Sequence, residues 1–177
     1  MKSTHFQLVI GSLTVIALFF GIQFYRYTHT QNLPPLKERR PDFSLLEITT
    51  GKMLSNAEWD GQVVVINFWA TWCKSCLKEI PWFIKLQQTY ARQGIQFIGI
   101  AMDNEVKTVK RVANNMRINY PIFVGPQTLQ LAKTFGNASV VLPFTVVVDQ
   151  QGYMVWRVTG EISERVIKRV LLPLLST

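Results

Sequence analysis

Apolar runs and regularly spaced apolar positions alternate along this chain and predict its main elements. Residues 63–68 are apolar on both faces of an extended chain, which is typical of a strand inside a parallel or mixed sheet that is covered on two sides. Residues 77–90 carry apolar side chains at every third or fourth position and precede Gly94, so we predict a helix with a glycine cap. A strand over 95–101 and a helix over 106–116 follow by the same criteria.

Shorter segments lie on either side of this central part. Weak alternation over residues 43–48 and a turn at 50–52 predict a pair of short strands near the start of the domain. Residues 126–135 predict a short helix that ends at Gly136. Pro81 falls inside the first long helix, where it removes a backbone hydrogen bond and predicts a kink.

The C-terminal part predicts a hairpin and a last helix. Residues 144–149 and 153–158 flank Gln150-Gln151-Gly152, which is typical of a tight turn between antiparallel strands. Ser163 is a candidate cap for the helix that follows. This succession of strands and helices predicts an α/β fold with three layers (α/β/α), a mixed central sheet, an N-terminal β-hairpin and helices on both faces.

The N-terminus reads as a membrane anchor. Residues 6–25 contain no charged side chain, and a helix of this length crosses the hydrocarbon of a bilayer. The polar and aromatic residues 23–27 do not resemble the small residues of a signal-peptide cleavage site, so we favour an uncleaved anchor over a secretory signal or a buried helix. The predicted organisation is an anchor over 1–27, a polar linker over 28–41 and a folded domain over 42–177.

The net charge of +8 by itself excludes few classes of function. The positive residues are scattered over 37–40, 107–117 and 165–169 without a nucleic-acid motif, so we expect a solvated basic surface, no nucleic-acid partner and at most a secondary attraction to anionic lipid. Lys2 precedes the apolar segment and Arg26 follows it. A count of positive charges would leave the domain in the cytoplasm, although long domains obey this rule poorly.

The two cysteines of the chain, Cys73 and Cys76, carry its clearest chemistry. They follow a predicted strand and begin a predicted helix, where backbone N–H groups and the helix dipole favour a thiolate. Lys74 adds a positive charge and Ser75 adds a hydroxyl donor near that thiolate. We therefore expect Cys73 to act as a nucleophile and Cys76 to resolve the mixed disulfide.

Other uses of the cysteine pair are less well supported. A zinc site needs two further ligands, and His5 and His29 are the only histidines of the chain, within or beside the predicted anchor. A structural disulfide between Cys73 and Cys76 would close too short a loop to restrict the unfolded chain much. We predict redox activity and no metal site.

Several segments resemble those of thioredoxin-fold proteins. Residues 65–76, with Pro81 in the helix that follows, resemble the active-site segment of that fold. Residues 142–149 resemble its cis-proline loop and next strand, and residues 41–45 resemble the opening of the redoxin branch. The helix within 103–117 is similar to the insertion of TlpA-like and ResA-like thiol:disulfide oxidoreductases.

The resemblance covers residues 41–172 and implies both a fold and an activity. It implies a thioredoxin-like domain that exchanges disulfides with partner proteins through the Cys73–Cys76 pair, without a separate cofactor. It further implies a single-pass protein of the cytoplasmic (inner) membrane, with the domain in the periplasm or cell exterior and a membrane dithiol donor. On this reading the protein is a reductant, for cytochrome c maturation or general thiol homeostasis.

The resemblance also assigns a groove for the substrate. A cis bond before Pro143 would present the backbone of Leu142 beside the dithiol, where an extended segment of the substrate can pair with it. Trp72, next to Cys73, is expected to be a partly exposed contact surface.

The resemblance leaves the proton chemistry open. Thioredoxins usually carry an aspartate where this chain has Asn67, and asparagine cannot accept the proton of Cys76. We expect water or another carboxylate to do so, with Glu105 as the first candidate and Glu79 as a weaker one. An exposed carboxylate at a helix start is an equally good interpretation of Glu105.

Two other functions remain open from the sequence. A peroxidase of the peroxiredoxin type would place its cysteine three residues after a threonine, whereas Thr71 lies two residues before Cys73. A non-catalytic thioredoxin-like module would bind partners beside Pro143 without redox turnover.

Overall fold

A mixed sheet of eight strands forms the frame of the domain. The computed structural model describes residues 38–175. The strands are β1 (Glu38–Arg39), β2 (Ser44–Glu47), β3 (Met53–Ser55), β4 (Val63–Trp69), β5 (Ile95–Ala101), β6 (Ile122–Val124), β7 (Phe144–Val148) and β8 (Tyr153–Thr159). The helices are α1 (Lys74–Tyr90), α2 (Val106–Met116), α3 (Thr128–Thr134) and α4 (Glu164–Leu171), with short 3-10 turns at Asn56–Trp59, Ala91–Gln93 and Leu172–Leu175.

The strand order across the sheet is β1-β8-β7-β4-β5-β6-β2-β3. β4 runs parallel to β5 and antiparallel to β7. All seven residues of β4 are buried, as expected for a central strand that is covered on both faces. The predicted mixed sheet is confirmed, and the described part of the chain has a thioredoxin-like α/β architecture.

Alternate residues of β4 belong to two separate cores. Val65 and Trp69 pack in the core that also contains buried side chains of α1, α2 and α4. Val64 and Phe68 pack in the core on the opposite face, which includes α3. Because successive side chains of a strand point to opposite faces, a strand that is apolar throughout can join both cores. The predicted placement of helices on the two faces is confirmed.

Two strands of the sheet were not predicted. β1 lies inside the predicted linker and pairs with β8, so the sheet begins at Glu38, ahead of the predicted domain start at residue 42. β6 has three residues, which is too short to show a period of its own. Both strands depend on pairing with distant partners, and local sequence patterns do not show such pairing.

Most predicted element ends agree with the structure. Gly152 adopts a positive φ of 84° between β7 and β8, as the predicted hairpin turn requires. α1 continues through Pro81 as one helix, and the 3-10 turn after it ends at Gly94, the predicted cap. Ser163 occupies the N-cap position of α4, but its side chain makes no capping hydrogen bond. The predicted cap position is therefore confirmed, without a side-chain hydrogen bond.

The predicted anchor lies outside the described residues. Within residues 38–175, no helix has both the length and the apolar character needed to cross a membrane.

Candidate active site

The cysteine pair lies where β4 ends and α1 begins. Cys73 occupies the N-cap position of α1, and the backbone N–H of Cys76 donates to its Sγ at 3.2 Å. The Oγ of Ser75 lies 3.5 Å from the same sulfur. Cys73 and Cys76 form a disulfide in this structure. The predicted strand-to-helix corner is therefore present, with its donors directed at the first cysteine.

The two cysteines differ in surroundings. Cys73 retains a small exposed fraction, 6%, whereas Cys76 is fully buried. Trp72 is 70% exposed directly before Cys73, and Lys74, directly after it, is exposed too. The first cysteine therefore keeps a small contact with solvent beside an exposed indole, while the second cysteine is covered by the protein.

The loop before Cys73 is held by a residue that the sequence interpretation missed. The carboxylate of Asp103, at the end of β5, accepts hydrogen bonds from the backbone N–H of Thr71 at 3.0 Å and from its hydroxyl at 2.5 Å. The N–H of Met102 donates to the carbonyl of Trp69 at 2.8 Å. These contacts fix the chain as it leaves β4. The available signal is a carboxylate two residues after the parallel neighbour strand β5, because parallel strands end at the same sheet edge.

Pro143 lies at the same edge of the sheet as the cysteines. The Leu142–Pro143 peptide bond is cis, as the resemblance implied. Phe144 pairs with Phe68 in the antiparallel β4–β7 ladder, so the start of β7 is next to the end of β4. Leu142 is partly buried and packs against both cores. The sheet register thus brings the predicted substrate groove next to the dithiol.

Asn67 lies below the cysteines on the α1 side of β4. It is 2% exposed, and its side-chain amide donates to the Oγ1 of Thr145 on β7 at 3.1 Å. Thr145 is fully buried. This bond fixes the orientation of the amide, which has no ionisable group to exchange with a thiol.

Glu79 supplies the ionisable group that Asn67 lacks. It lies three residues after Cys76 in α1 and is fully buried. Burial raises the pKa of Glu79 to about 7, with a further increase from the charge of Glu161, while hydrogen bonds from the Ile162 N–H and the Asn67 side chain act in the opposite direction. The Ile162 amide donates to Oε1, and Oε2 has no hydrogen-bond partner among the described residues. A carboxyl group in this state gains and loses a proton near neutral pH.

Glu105 lies in a different environment. It occupies the N-cap position of α2 and is exposed. One of its carboxylate oxygens accepts a hydrogen bond from the hydroxyl of Thr108 at 2.6 Å. This contact belongs to the start of a helix, and the structure favours Glu79 over Glu105, the reverse of the sequence-based order. Residues 38–175 contain no group of three or more histidine, cysteine, aspartate or glutamate side chains that could hold a metal ion.

Comparison with known proteins supports this picture. The sequence model of the redoxin family matches residues 35–171. The chain belongs to the redoxin family. Thiol-disulfide oxidoreductase ResA from Halalkalibacterium halodurans is 27% identical over 171 residues, covering 96% of this chain and 95% of that protein. A Bacillus cereus protein of the same name is 30% identical over 122 residues, covering 68% of each chain.

Solved structures lead to the same fold. A thiol:disulfide interchange protein of the thioredoxin family from Chlorobium tepidum is 28% identical, with a TM-score of 0.71, and the match covers 81% of this chain and 99% of that one. A secreted thiol-disulfide isomerase from Corynebacterium glutamicum has the same fold, with a TM-score of 0.71, 23% identity and coverage of 77% and 85%. This redoxin is a thiol:disulfide oxidoreductase of the TlpA-like and ResA-like group. It acts on protein thiols or disulfides through a redox-active cysteine pair.

Proposed function

We propose that this redoxin is a membrane-tethered reductant of partner-protein disulfides outside the cytoplasmic membrane, with Cys73 as nucleophile, Cys76 as resolving thiol and Glu79 as proton acceptor. The observation that carries the proposal is the buried Glu79, with a pKa of about 7, one helical turn after the buried Cys76. A proton acceptor beside the less accessible thiol is what the second step of disulfide reduction requires.

The first step uses the geometry around Cys73. In the reduced protein, the Cys76 N–H, the Ser75 hydroxyl and the N-terminus of α1 stabilise a thiolate at Cys73. This thiolate attacks one sulfur of the partner disulfide. The Cys73–partner bond forms as the partner disulfide breaks, and the partner's other sulfur leaves as a thiolate that takes a proton from water.

The second step uses Cys76 and Glu79. Cys76 loses its proton to the Glu79 carboxylate and attacks the mixed disulfide at Cys73. The Cys73–Cys76 bond forms, the partner's second thiolate leaves, and two electrons have passed to the partner. When a dithiol donor reduces the disulfide again, Glu79 returns its proton to Cys76. Because the pKa of Glu79 is about 7, both protonation states are available near neutral pH.

Leu142, Pro143 and Trp72 form the surface that we assign to the substrate. An extended segment of the partner pairs with the backbone of Leu142, Pro143 borders the disulfide, and the exposed Trp72 contacts the partner. Mixed-disulfide formation with a model peptide tests this assignment, since Trp72→Ala should slow it without changing the reduction potential.

The cellular setting follows from the sequence and from the resemblance. The uncharged segment 6–25 supports a single-pass anchor, followed by a linker and by the domain whose first described strand begins at Glu38. A membrane dithiol protein would supply electrons, and the substrates would be proteins such as apocytochrome c or others whose thiols are kept reduced. Membrane fractionation tests the anchor, and protease access from outside intact cells stripped of their wall tests the orientation. If the protease digests the domain only after the cells are lysed, the proposed orientation outside the membrane is contradicted.

Trapping with single-cysteine variants tests the order of attack. Cys76→Ser should accumulate a mixed disulfide with a disulfide-bonded substrate, because its Cys73 thiolate attacks and nothing resolves the product. Cys73→Ser is the matched control and should trap little, since Cys76 is fully buried. Equal trapping by the two variants would contradict the assigned roles.

Equilibration in dithiothreitol or glutathione buffers tests the direction of electron flow. A reductant should have a reduction potential near that of thioredoxin, about −270 mV. A potential near about −120 mV, typical of a strong oxidant, would overturn the proposed direction.

A further inference from the structure

Residues 160–162, here called the bridging segment, contact both parts of the candidate active site. The N–H of Gly160 donates to the carbonyl of Pro143 at 2.8 Å. Two residues later, the N–H of Ile162 donates to the carboxyl group of Glu79. One short segment after β8 therefore supports both the cis-proline loop and the buried carboxyl group.

A charge pair ties this segment to α1. The side chain of Glu161 accepts from the Nζ of Lys78 at 3.4 Å. Lys78 directly precedes Glu79, and Glu161 directly precedes Ile162. The charge pair therefore connects the same two stretches of chain that the Ile162–Glu79 hydrogen bond connects. The side chains of Lys78 and Glu161 remain 69% and 46% exposed, so they lie at the surface above a buried contact.

Several groups face Glu79 from the elements around it. Glu161, in the bridging segment, raises the pKa of Glu79 through its negative charge. Tyr120, ahead of β6, is buried, and its own pKa is raised by burial and by the charge of Glu79, so it stays neutral. The Cys73–Cys76 disulfide carries no charge, and Asn67 offers a neutral amide. Glu161 is thus an anion that acts on Glu79, and Lys78 is its counter-charge.

We propose that Lys78 and Glu161 are positioning residues for disulfide exchange, whose charge pair sets how readily Glu79 takes up the proton of Cys76. The inference rests on the proposed role of Glu79. Removing Glu161 takes away a repelling charge, which favours the ionised form of Glu79. Removing Lys78 leaves Glu161 without its counter-charge, which disfavours that form. The two substitutions should therefore act in opposite directions.

Direct titration of Glu79 in the full-length oxidised chain tests the proposal. The side-chain carboxyl carbon of Glu79 can be followed by NMR in detergent and assigned by its loss in Glu79→Gln. Glu161→Gln should lower the titration midpoint by about 0.5 pH unit, and Lys78→Gln should raise it by about the same amount. Glu161→Asp keeps the charge and should restore most of the parent midpoint.

Lys85→Gln is the matched control. Lys85 lies two turns further along α1 and pairs with Glu164 at 3.1 Å, so its loss should leave the Glu79 midpoint unchanged. Shifts of the same sign in Lys78→Gln and Glu161→Gln, or no shift beyond that of Lys85→Gln, would overturn the inference. The proposed function fails separately, namely if Glu79→Gln leaves the pH profile of mixed-disulfide resolution unchanged.

Discussion

Glu47 and Glu79 are both buried carboxyl groups, and their surroundings move their pKa values in opposite directions. Glu47 ends β2 at the hairpin turn, where it accepts hydrogen bonds from the Thr49 N–H at 2.9 Å and from the N–H and hydroxyl of Thr50 at 2.6 and 2.7 Å. Burial acts to raise the pKa of Glu47, but these hydrogen bonds outweigh it and lower the pKa. Glu79 accepts a single backbone hydrogen bond, from Ile162, and its pKa rises.

The difference teaches that the number of hydrogen-bond donors decides whether the effect of burial on the pKa of an enclosed carboxyl group is outweighed. Three donors lower the pKa of Glu47 and favour its ionised form, which fixes the turn. Glu79 has too few donors to hold its charge, so it can pass a proton to and from a neighbour. The same residue type thus fixes a turn in one region and, in the proposed function, exchanges a proton in the other.

The two groups also give opposite dependences of stability on pH. The lowered pKa of Glu47 contributes stability that is present above its ordinary value of 4.5 and is lost as the pH falls through the folded-state value. The folded state binds the proton of Glu79 more tightly than the unfolded state does. Stability therefore declines between pH 4.5 and about 7, where this glutamate is ionised in the unfolded chain but still protonated in the folded state, and then levels off.

Asn67→Asp should have the largest effect on the free energy of unfolding, because it places a second carboxyl group beside Glu79. Two buried carboxylates without a cation cannot both ionise cheaply. We expect the free energy of unfolding to fall by about 3 kcal/mol at pH 8, and by much less at pH 5, where both groups can hold protons. Urea denaturation at the two pH values measures this. Asn67→Ser is the neutral control and should lose the same free energy of unfolding at pH 5 and pH 8. An equal loss at the two pH values in Asn67→Asp would contradict the argument.

Glu79→Gln should remove the decline in stability that the raised pKa causes. Relative to the variant, the parent should lose about 2 to 3 kcal/mol between pH 5 and pH 8. Residues 38–175 contain no histidine, so few other side chains titrate in this window. Parallel stability curves for the parent and the variant would show that Glu79 has an ordinary pKa. Mixed-disulfide resolution by the variant should also lose its inflection near pH 7.

Glu47→Gln should give a smaller effect of opposite sign. We expect a loss of about 1 to 2 kcal/mol at pH 7, because charge-assisted hydrogen bonds become neutral ones. The loss should shrink toward pH 3, where the parent carboxylate is itself becoming protonated. Thr50→Val removes one of the donors and should reproduce about half of the loss. A Glu47→Gln penalty that stays constant from pH 7 to pH 3 would mean that the charge contributes nothing.

The sequence predicted elements well where local pattern decides structure. The bounds of β5 and α2 agree with the predicted segments, because a buried strand and an amphipathic helix each leave a clear periodicity. The role of the cysteine pair could be predicted equally well, since its chemistry depends on two neighbouring residues and a helix start. These features need no information from distant parts of the chain.

The two candidate proton acceptors, Glu79 and Glu105, could not be ranked from local sequence patterns. The environment of Glu79 depends on Ile162, which lies 83 positions away along the chain, and on the burial of one face of α1. Glu105 stood first because it lies near the insertion that the resemblance emphasised. Burial of a single glutamate and the number of donors around it are tertiary properties, which periodicity does not report.

The first two residues of the sheet also have a mechanical consequence. β1 pairs Glu38 and Arg39 with Met154 and Tyr153 at the start of β8, and the N–H of Arg40 donates to the carbonyl of Gly152 at 3.0 Å. A force that pulls on the chain ahead of Glu38 is applied first to this short edge ladder. The ladder can peel away while β8 stays paired with β7 along its other side. A short edge strand of this kind should therefore detach under tension before the central strands β4 and β7 separate.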